Sequence, residues 1–159
     1  GDTNKGILSY RHKRNEIAHS LKVIGNAAFA ECKRLKSVTI PEGIETLELD
    51  AFACCDSLAN VTLPSTLKSI RRGVFWQCRS ISEIHIPASV TEIGEYSFYY
   101  CDSLRHVYNH AATPQEVISL FKPKDSITVH VPAASVELYR QASYWKDLNI
   151  VGDIVGLEP

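Results

Sequence analysis

Residues 24–41 read Ile24-Gly25-Asn26-Ala27-Ala28-Phe29-Ala30-Glu31-Cys32-Lys33-Arg34-Leu35-Lys36-Ser37-Val38-Thr39-Ile40-Pro41, and the same frame returns three more times. Phe29, Phe52, Phe75 and Phe98 are each 23 residues apart, and Cys32, Cys55, Cys78 and Cys101 keep that interval. A fixed period of this size marks a protein built by stacking one supersecondary unit. Copies begin at Ile24, Leu47, Ile70 and Ile93 and share the pattern apolar-x-x-x-x-Phe-x-x-Cys-x-x-apolar-x-x-apolar-x-apolar. Proline follows in the first three copies, at Pro41, Pro64 and Pro87. The fourth copy breaks at its end, where Asn109 and His110 replace an apolar residue and a proline.

The spacing inside one unit predicts its parts. Val38-Thr39-Ile40 and its copies alternate apolar and polar residues, the signature of a short half-buried strand. The proline after each strand has no N–H to donate, so it stops the ladder at the same height in every rung. From Ile24 to Leu35 the apolar residues lie three to five apart, which predicts a tight helical or 3₁₀ turn. One rung cannot bury its apolar side alone; stacked rungs create a continuous core and a parallel sheet with neighbours about 4.8 Å apart.

The frame Phe-x-x-Cys-x-x-Leu-x-x-Val-x-Ile-Pro resembles the BspA-like leucine-rich repeats of bacterial surface proteins over residues 24–107. It departs from the common leucine-rich pattern in lacking the asparagine ladder and in placing proline directly after the strand. The tail, with Val129-His130-Val131-Pro132, Val136-Glu137-Leu138-Tyr139, Trp145 and Ile150-Val151, resembles the strand–helix end cap of that family. The resemblance implies a right-handed α/β leucine-rich-repeat solenoid of about four rungs. It also implies an extracellular or cell-surface bacterial protein that binds host protein or glycan.

A length of 159 residues fits one domain. Residues 1–23 are expected to form an N-terminal cap with a partial rung over 12–23, in which Lys13-Arg14-Asn15-Glu16 covers the open sheet edge. Residues 24–109 form the repeats and 110–159 the C-terminal cap. Within that cap the pattern predicts a short helix over Gln115–Phe121, a strand over Ser126–Val131 and a second helix over Ala134–Ala142. The net charge of −1 gives no reason to expect nucleic acid or an anionic membrane as partner. No apolar run reaches the roughly 18–20 residues of a membrane span. Gly1-Asp2 in place of an initiator methionine reads as a processed or truncated chain.

Four of the five cysteines occupy one column, where parallel side chains suit a reduced, buried ladder better than disulfides with converging Cβ atoms. Cys54 lies outside that column and is the expected exposed thiol. No paired Cys-x-x-Cys or Cys-x-x-His spacing suggests zinc.

Strand residues that point away from the core form two columns. One runs Arg14, Ser37, Asn60, Glu83, His106, Thr128; the other runs Glu16, Thr39, Thr62, His85, Tyr108, His130. Their later rungs gather Glu83, His85, His106, Tyr108 and His130 into a polar and aromatic ligand-binding candidate. Neighbours in such columns stand about 5 Å apart and can act together. Histidine is a ligand for several metals, but histidines on a sheet face are common, and no metal is expected. A secondary aromatic patch is expected on the turn side from Trp76, Tyr96, Tyr99 and Tyr100, where Ala30 and Ala53 hold the Trp76–Tyr99 column in earlier rungs. Flat rings with a polar edge suit sugars or protein partners. Trp145 and Tyr139 are expected to pack the cap.

No phosphate-cradling glycine loop, His-Glu-x-x-His motif or nucleophile elbow occurs, so neither an enzyme nor a cofactor is expected. The pattern leaves two roles open. The first is recognition of host protein or glycan; the second is a structural spacer or envelope-assembly module with no ligand of its own.

Overall fold

The computed structural model describes residues 21–156, which stack as a parallel-sheet solenoid. The expected N-terminal partial rung and its polar edge, with Arg14 and Glu16 of the two columns, lie mostly outside the described residues.

One side of each rung carries a two-residue strand. These are β1 (Val23–Ile24), β3 (Thr46–Leu47), β5 (Ser69–Ile70) and β7 (Glu92–Ile93), paired in parallel in that order. A second side carries the alternating strands read from the sequence, β2 (Ser37–Thr39), β4 (Asn60–Thr62), β6 (Glu83–Ile86), β9 (His106–Asn109) and β11 (Thr128–Pro132), followed by β12 (Asn149–Ile154), which the pattern did not predict. Their register aligns Ser37 with Asn60 in one ladder, and in another Glu83 with His106 and then Thr128, and His85 with Tyr108 and then His130. Apolar partners such as Val38, Ile84 and Val107 point the other way into the core.

The turn side corrects the expectation of a helical or 3₁₀ segment over 24–35. No helix forms there. Instead, alternate amides do two different jobs. Ala28, Ala30 and Cys32 donate to carbonyls three residues back, while Ala27, Phe29 and Glu31 donate to Leu49, Ala51 and Ala53 of the next rung. This geometry needs left-handed backbone at fixed places, and it recurs at Ala27, Asp50, Gly73, Tyr96 and Ser119, and again at Glu31, Cys54, Gln77 and Tyr100. A helix would spend every amide within its own turn; this arrangement keeps half of them for stacking rungs.

Within the core the phenylalanines form a spine. Rings of Phe29, Phe52, Phe75 and Phe98 stack at 5.1, 5.7 and 5.6 Å, with interplanar angles of 6°, 14° and 16°. The cysteine column has a specific role beside it. The thiols of Cys55, Cys78 and Cys101 donate to the carbonyls of Phe29, Phe52 and Phe75 at 3.1, 3.1 and 3.2 Å. Each thiol thus ties its own rung to the backbone of the rung before it. None of the five cysteines is in a disulfide. Burial pushes the Cys101 thiol up to about 12, and contact with Cys55 together with burial also raises Cys78. Cys54, expected to be the exposed thiol, is only partly exposed, and Cys32 of the expected buried column is partly exposed as well.

The array outruns the expected boundary at residue 109. Phe121 lies 23 residues after Phe98 and continues the spine, with ring centres 5.8 Å apart, and β10 (Phe121–Lys122) pairs with β8 (Phe98–Tyr99). The helix expected over Gln115–Phe121 is therefore absent, because this segment carries the next turn of the repeat. Asn109, which broke the apolar pattern, is fully buried and bonded: its amide donates to Gln115 at 2.8 Å, and Gln115 donates to the carbonyl of Val90. The second expected helix is present in shortened form as α1 (Val136–Gln141), preceded by a 3₁₀ turn over Ala133–Ser135. Tyr139 and Trp145 are wholly buried and meet edge to face, with Tyr139 donating to Ala111 and Trp145 to Gln115. They close the end of the core.

Because Phe75 is fully buried between two stacked rings, Phe75→Ala should cost about 3–5 kcal/mol in chemical denaturation; a loss under about 1 kcal/mol would refute the spine. Thiol titration should count five free cysteines in denaturant but leave Cys78 and Cys101 unreacted in the native protein at pH 8. Since folding holds Cys101 protonated, stability should decline above the ordinary thiol value of 9.0, where the unfolded chain ionises.

Candidate functional site

The sheet side has a break. β2 pairs with β4, and β6, β9, β11 and β12 form a separate ladder, so the described structure contains no ladder between β4 and β6. A pocket of about 490 Å³ opens at this break, lined by Glu42, Val61, Thr62, Ser65, His85 and His110 among others. Val61 is only partly buried, although its counterparts Val38, Ile84 and Val107 are in the core.

Beside this pocket the strand register stacks three rings, one from each of β6, β9 and β11. His85 lies on Tyr108 at 4.3 Å and 5°, and Tyr108 lies on His130 at 4.2 Å and 11°. Such near-parallel stacking follows from aligned neighbours in a parallel ladder. A further histidine meets each end of the stack. His110 Nε2 is 3.1 Å from His85 Nδ1, and His106 Nδ1 is 2.9 Å from His130 Nε2. On its other nitrogen His130 faces both carboxylate oxygens of Asp153 at 2.9 Å.

That carboxylate can only accept. Asp153 accepts from His130 Nδ1–H, and with His130 neutral its Nε2 accepts from the Nδ1–H of His106. The outer nitrogen of His106 is then an acceptor at the surface. The ring centres of His106 and His130 are 5.2 Å apart, and those of His85 and His110 are 5.4 Å apart. In both pairs the centres are farther apart than the nitrogens by about two ring radii, so the nitrogens meet head-on. A chelated ion would need both lone pairs aimed at a third point. The geometry is that of imidazole–imidazole hydrogen bonds, and among the described residues no group of three or more metal-ligating side chains converges.

The structure therefore brings four of the five candidates, His85, His106, Tyr108 and His130, into one cluster. Glu83 stands at its edge, exposed, with an oxygen 4.0 Å from His85. His85 and His106 are exposed and Tyr108 half-buried. His130 corrects the expectation of an open ligand-facing side chain: it is 9% exposed, covered by Asp153 and by Tyr108. Two members were missed by the column reading. His110 lies past the end of its strand, in the column that holds Pro41, Pro64 and Pro87, and Asp153 lies 23 residues after His130 on β12, a strand the sequence pattern did not predict. The histidines and the carboxylate could bind polar or anionic groups through their ring nitrogens and oxygens.

The aromatic patch on the turn side also assembles. Trp76 meets Tyr100 at 6.4 Å and 64°, Tyr99 meets Tyr100 at 5.1 Å and 72°, and Tyr96 meets Tyr99 at 4.9 Å and 70°.

Residues 10–119 match the family described as the BspA type leucine-rich repeat region, in six copies, and the chain belongs to it. Two solved structures share the fold. One is a leucine rich cell surface protein of Faecalibacterium prausnitzii A2-165, 24% identical over 69% of this chain and 38% of that one, with a TM-score of 0.54. The other is the pneumococcal vaccine antigen PcpA, 19% identical over 86% of this chain and 40% of that one, with a TM-score of 0.65. This chain thus spans about two fifths of each. No curated protein matches it.

Burial and the neighbouring His85 hold His110 below the ordinary histidine value of 6.5. A group with a lowered value in the folded state contributes stability above 6.5 that is lost as pH falls and the unfolded chain takes the proton. Urea unfolding should therefore show a smaller free energy at pH 5.5 than at pH 7.5, with a shallower dependence in His110→Gln; an unchanged slope would remove His110 from this account.

Proposed function

We propose that this BspA-type repeat protein is a non-catalytic recognition module, displayed at the surface of a bacterium or secreted, which binds a host protein or glycan through its repeat surface. The observation that carries this reading is the His85–Tyr108–His130 stack on the sheet side, bordered by the pocket at the β4–β6 break. Earlier rungs place only Ser37, Thr39, Asn60 and Thr62 in the same columns, side chains too small to grip a partner. Later rungs replace them with flat, hydrogen-bonding rings held rigidly by their neighbours. Rigid aromatic anchors with polar edges lose little freedom on binding, which is why they dominate contact energy in recognition surfaces.

Surface display is supported by the family and by the cell-surface protein that shares the fold. Among the described residues no helix is long and apolar enough to cross a membrane. Because the two similar structures are much longer chains, the partner and anchoring of the whole protein belong to this proposal as well.

The test is binding of the purified protein to an array of host matrix proteins and glycans, beside a folded variant carrying Glu83→Ala, His85→Ala and Tyr108→Ala. Loss of at least about 2 kcal/mol of binding free energy in the variant is the expected result. Binding that survives the triple substitution at full strength would remove the sheet side from the mechanism.

A further inference from the structure

We propose that the groove on the turn side is a second binding site, specific for an oligosaccharide that carries carboxylate groups, such as a chain containing uronic acid. It stands apart from the sheet-side reading and rests on different residues.

The groove begins as a pocket of about 520 Å³ floored by Gly73 and walled by Trp76, Tyr96, Tyr99 and Tyr100. It continues into a second pocket of about 470 Å³ that shares Tyr99 and Lys122 and ends at Tyr144. The two pockets adjoin at Tyr99 and Lys122, which line both.

Three features point to a ligand. First, the aromatic bulk is confined to these rungs. Column 30, 53, 76, 99, 122 reads Ala30, Ala53, Trp76, Tyr99, Lys122, so the fold itself needs no large side chain there. Second, Tyr96 and Tyr100 occupy left-handed backbone, at φ of 61° and 60°, where a bulky residue is strained. Equivalent rungs place Asp50 and Gly73, or Glu31 and Gln77, at these positions. Both tyrosines remain substantially exposed, at 39% and 36%, so core burial does not explain them. Third, the cations are held over rings. Lys122 Nζ lies 5.8 Å from the centre of Tyr99 and 5.7 Å from that of Tyr100, and Lys124 Nζ lies 6.0 Å from Tyr144. Among the described residues neither lysine is in an ion pair, whereas Arg72, on the same groove, reaches Glu95 at 4.0 Å.

Aromatic faces take the apolar C–H face of a sugar ring, and their edges tolerate its hydroxyls. Two ammonium groups without carboxylate partners, spaced along the groove, supply the counter-charge for acidic groups repeated along a chain. At Gly73, where φ is +71°, the space a Cβ would take is held by the Asp50 carboxylate, which also lines this pocket.

Trp76 is a built-in reporter, since Trp145 is wholly buried in the cap. The experiment titrates the protein with a tetrasaccharide of alternating glucuronic acid and N-acetylglucosamine, a neutral tetrasaccharide of N-acetylglucosamine, and polyglutamate, following tryptophan fluorescence. Saturable binding of the acidic sugar is expected, with both other probes weaker by at least about tenfold. Lys122→Met should weaken the acidic sugar by a similar factor. Tyr100→Gly should do so while retaining the fold, because glycine relieves the left-handed backbone. Glu83→Ala and His85→Ala should leave it unchanged, which separates this site from the sheet side. Absence of saturable binding, equal binding of the neutral sugar, or tighter binding of polyglutamate would overturn the proposal.

Discussion

The rest of the structure depends on the division of backbone amides along the turn side. Alternate N–H groups bond within the turn and across to the next rung, from Ala27, Phe29 and Glu31 up to Tyr96, Phe98 and Tyr100. A buried amide without a partner is costly, so this pattern can persist only if each rung keeps its neighbour at a fixed distance. The phenylalanine spine fits that spacing, and the cysteine thiols add a side-chain bond from each rung to the one before it. Cysteine suits the column because it is small and apolar and yet carries one weak donor.

Fixed spacing has a consequence for recognition. Side chains 23 residues apart become contact neighbours, so a change of residue type in two or three successive rungs creates a surface. The sheet side gathers stacked imidazole and phenol rings in this way, and the turn side gathers a tryptophan, three tyrosines and a lysine. Both surfaces lie in the later rungs, and both use the solenoid as a rigid support whose cost of ordering is met on folding rather than on binding.

Much of this was legible in the sequence because the period is undisturbed from Ile24 to Val107. Strand faces, the burial of Cys55, Cys78 and Cys101, and the alignment of outward residues within each ladder follow from it. The period is harder to read beyond that point. Phe121 keeps the spacing, but Lys124 stands in the cysteine column, Pro123 follows Lys122, and Thr128 arrives one residue early relative to His106. Those changes disguised another turn of the array as a helical cap. Left-handed positions were also hidden, since only Gly73 among them is a residue that advertises such backbone. His110 and Asp153 complete the histidine cluster from outside the two outward columns as drawn: His110 stands in the proline column, and Asp153 lies 23 residues beyond His130 on a strand the pattern did not predict.

The central claim is that the array continues unbroken from the repeats into the cap, so that both surfaces rest on one cooperative support. Native-state hydrogen exchange tests it at the amides of Tyr96, Phe98 and Tyr100, which donate to Ser119, Leu120 and Lys122 of the following rung. The account predicts that they exchange as slowly as the amide of Phe52 in the middle of the array, through global unfolding. Exchange faster by several orders of magnitude would show that the stack ends at the fourth rung and would contradict the claim.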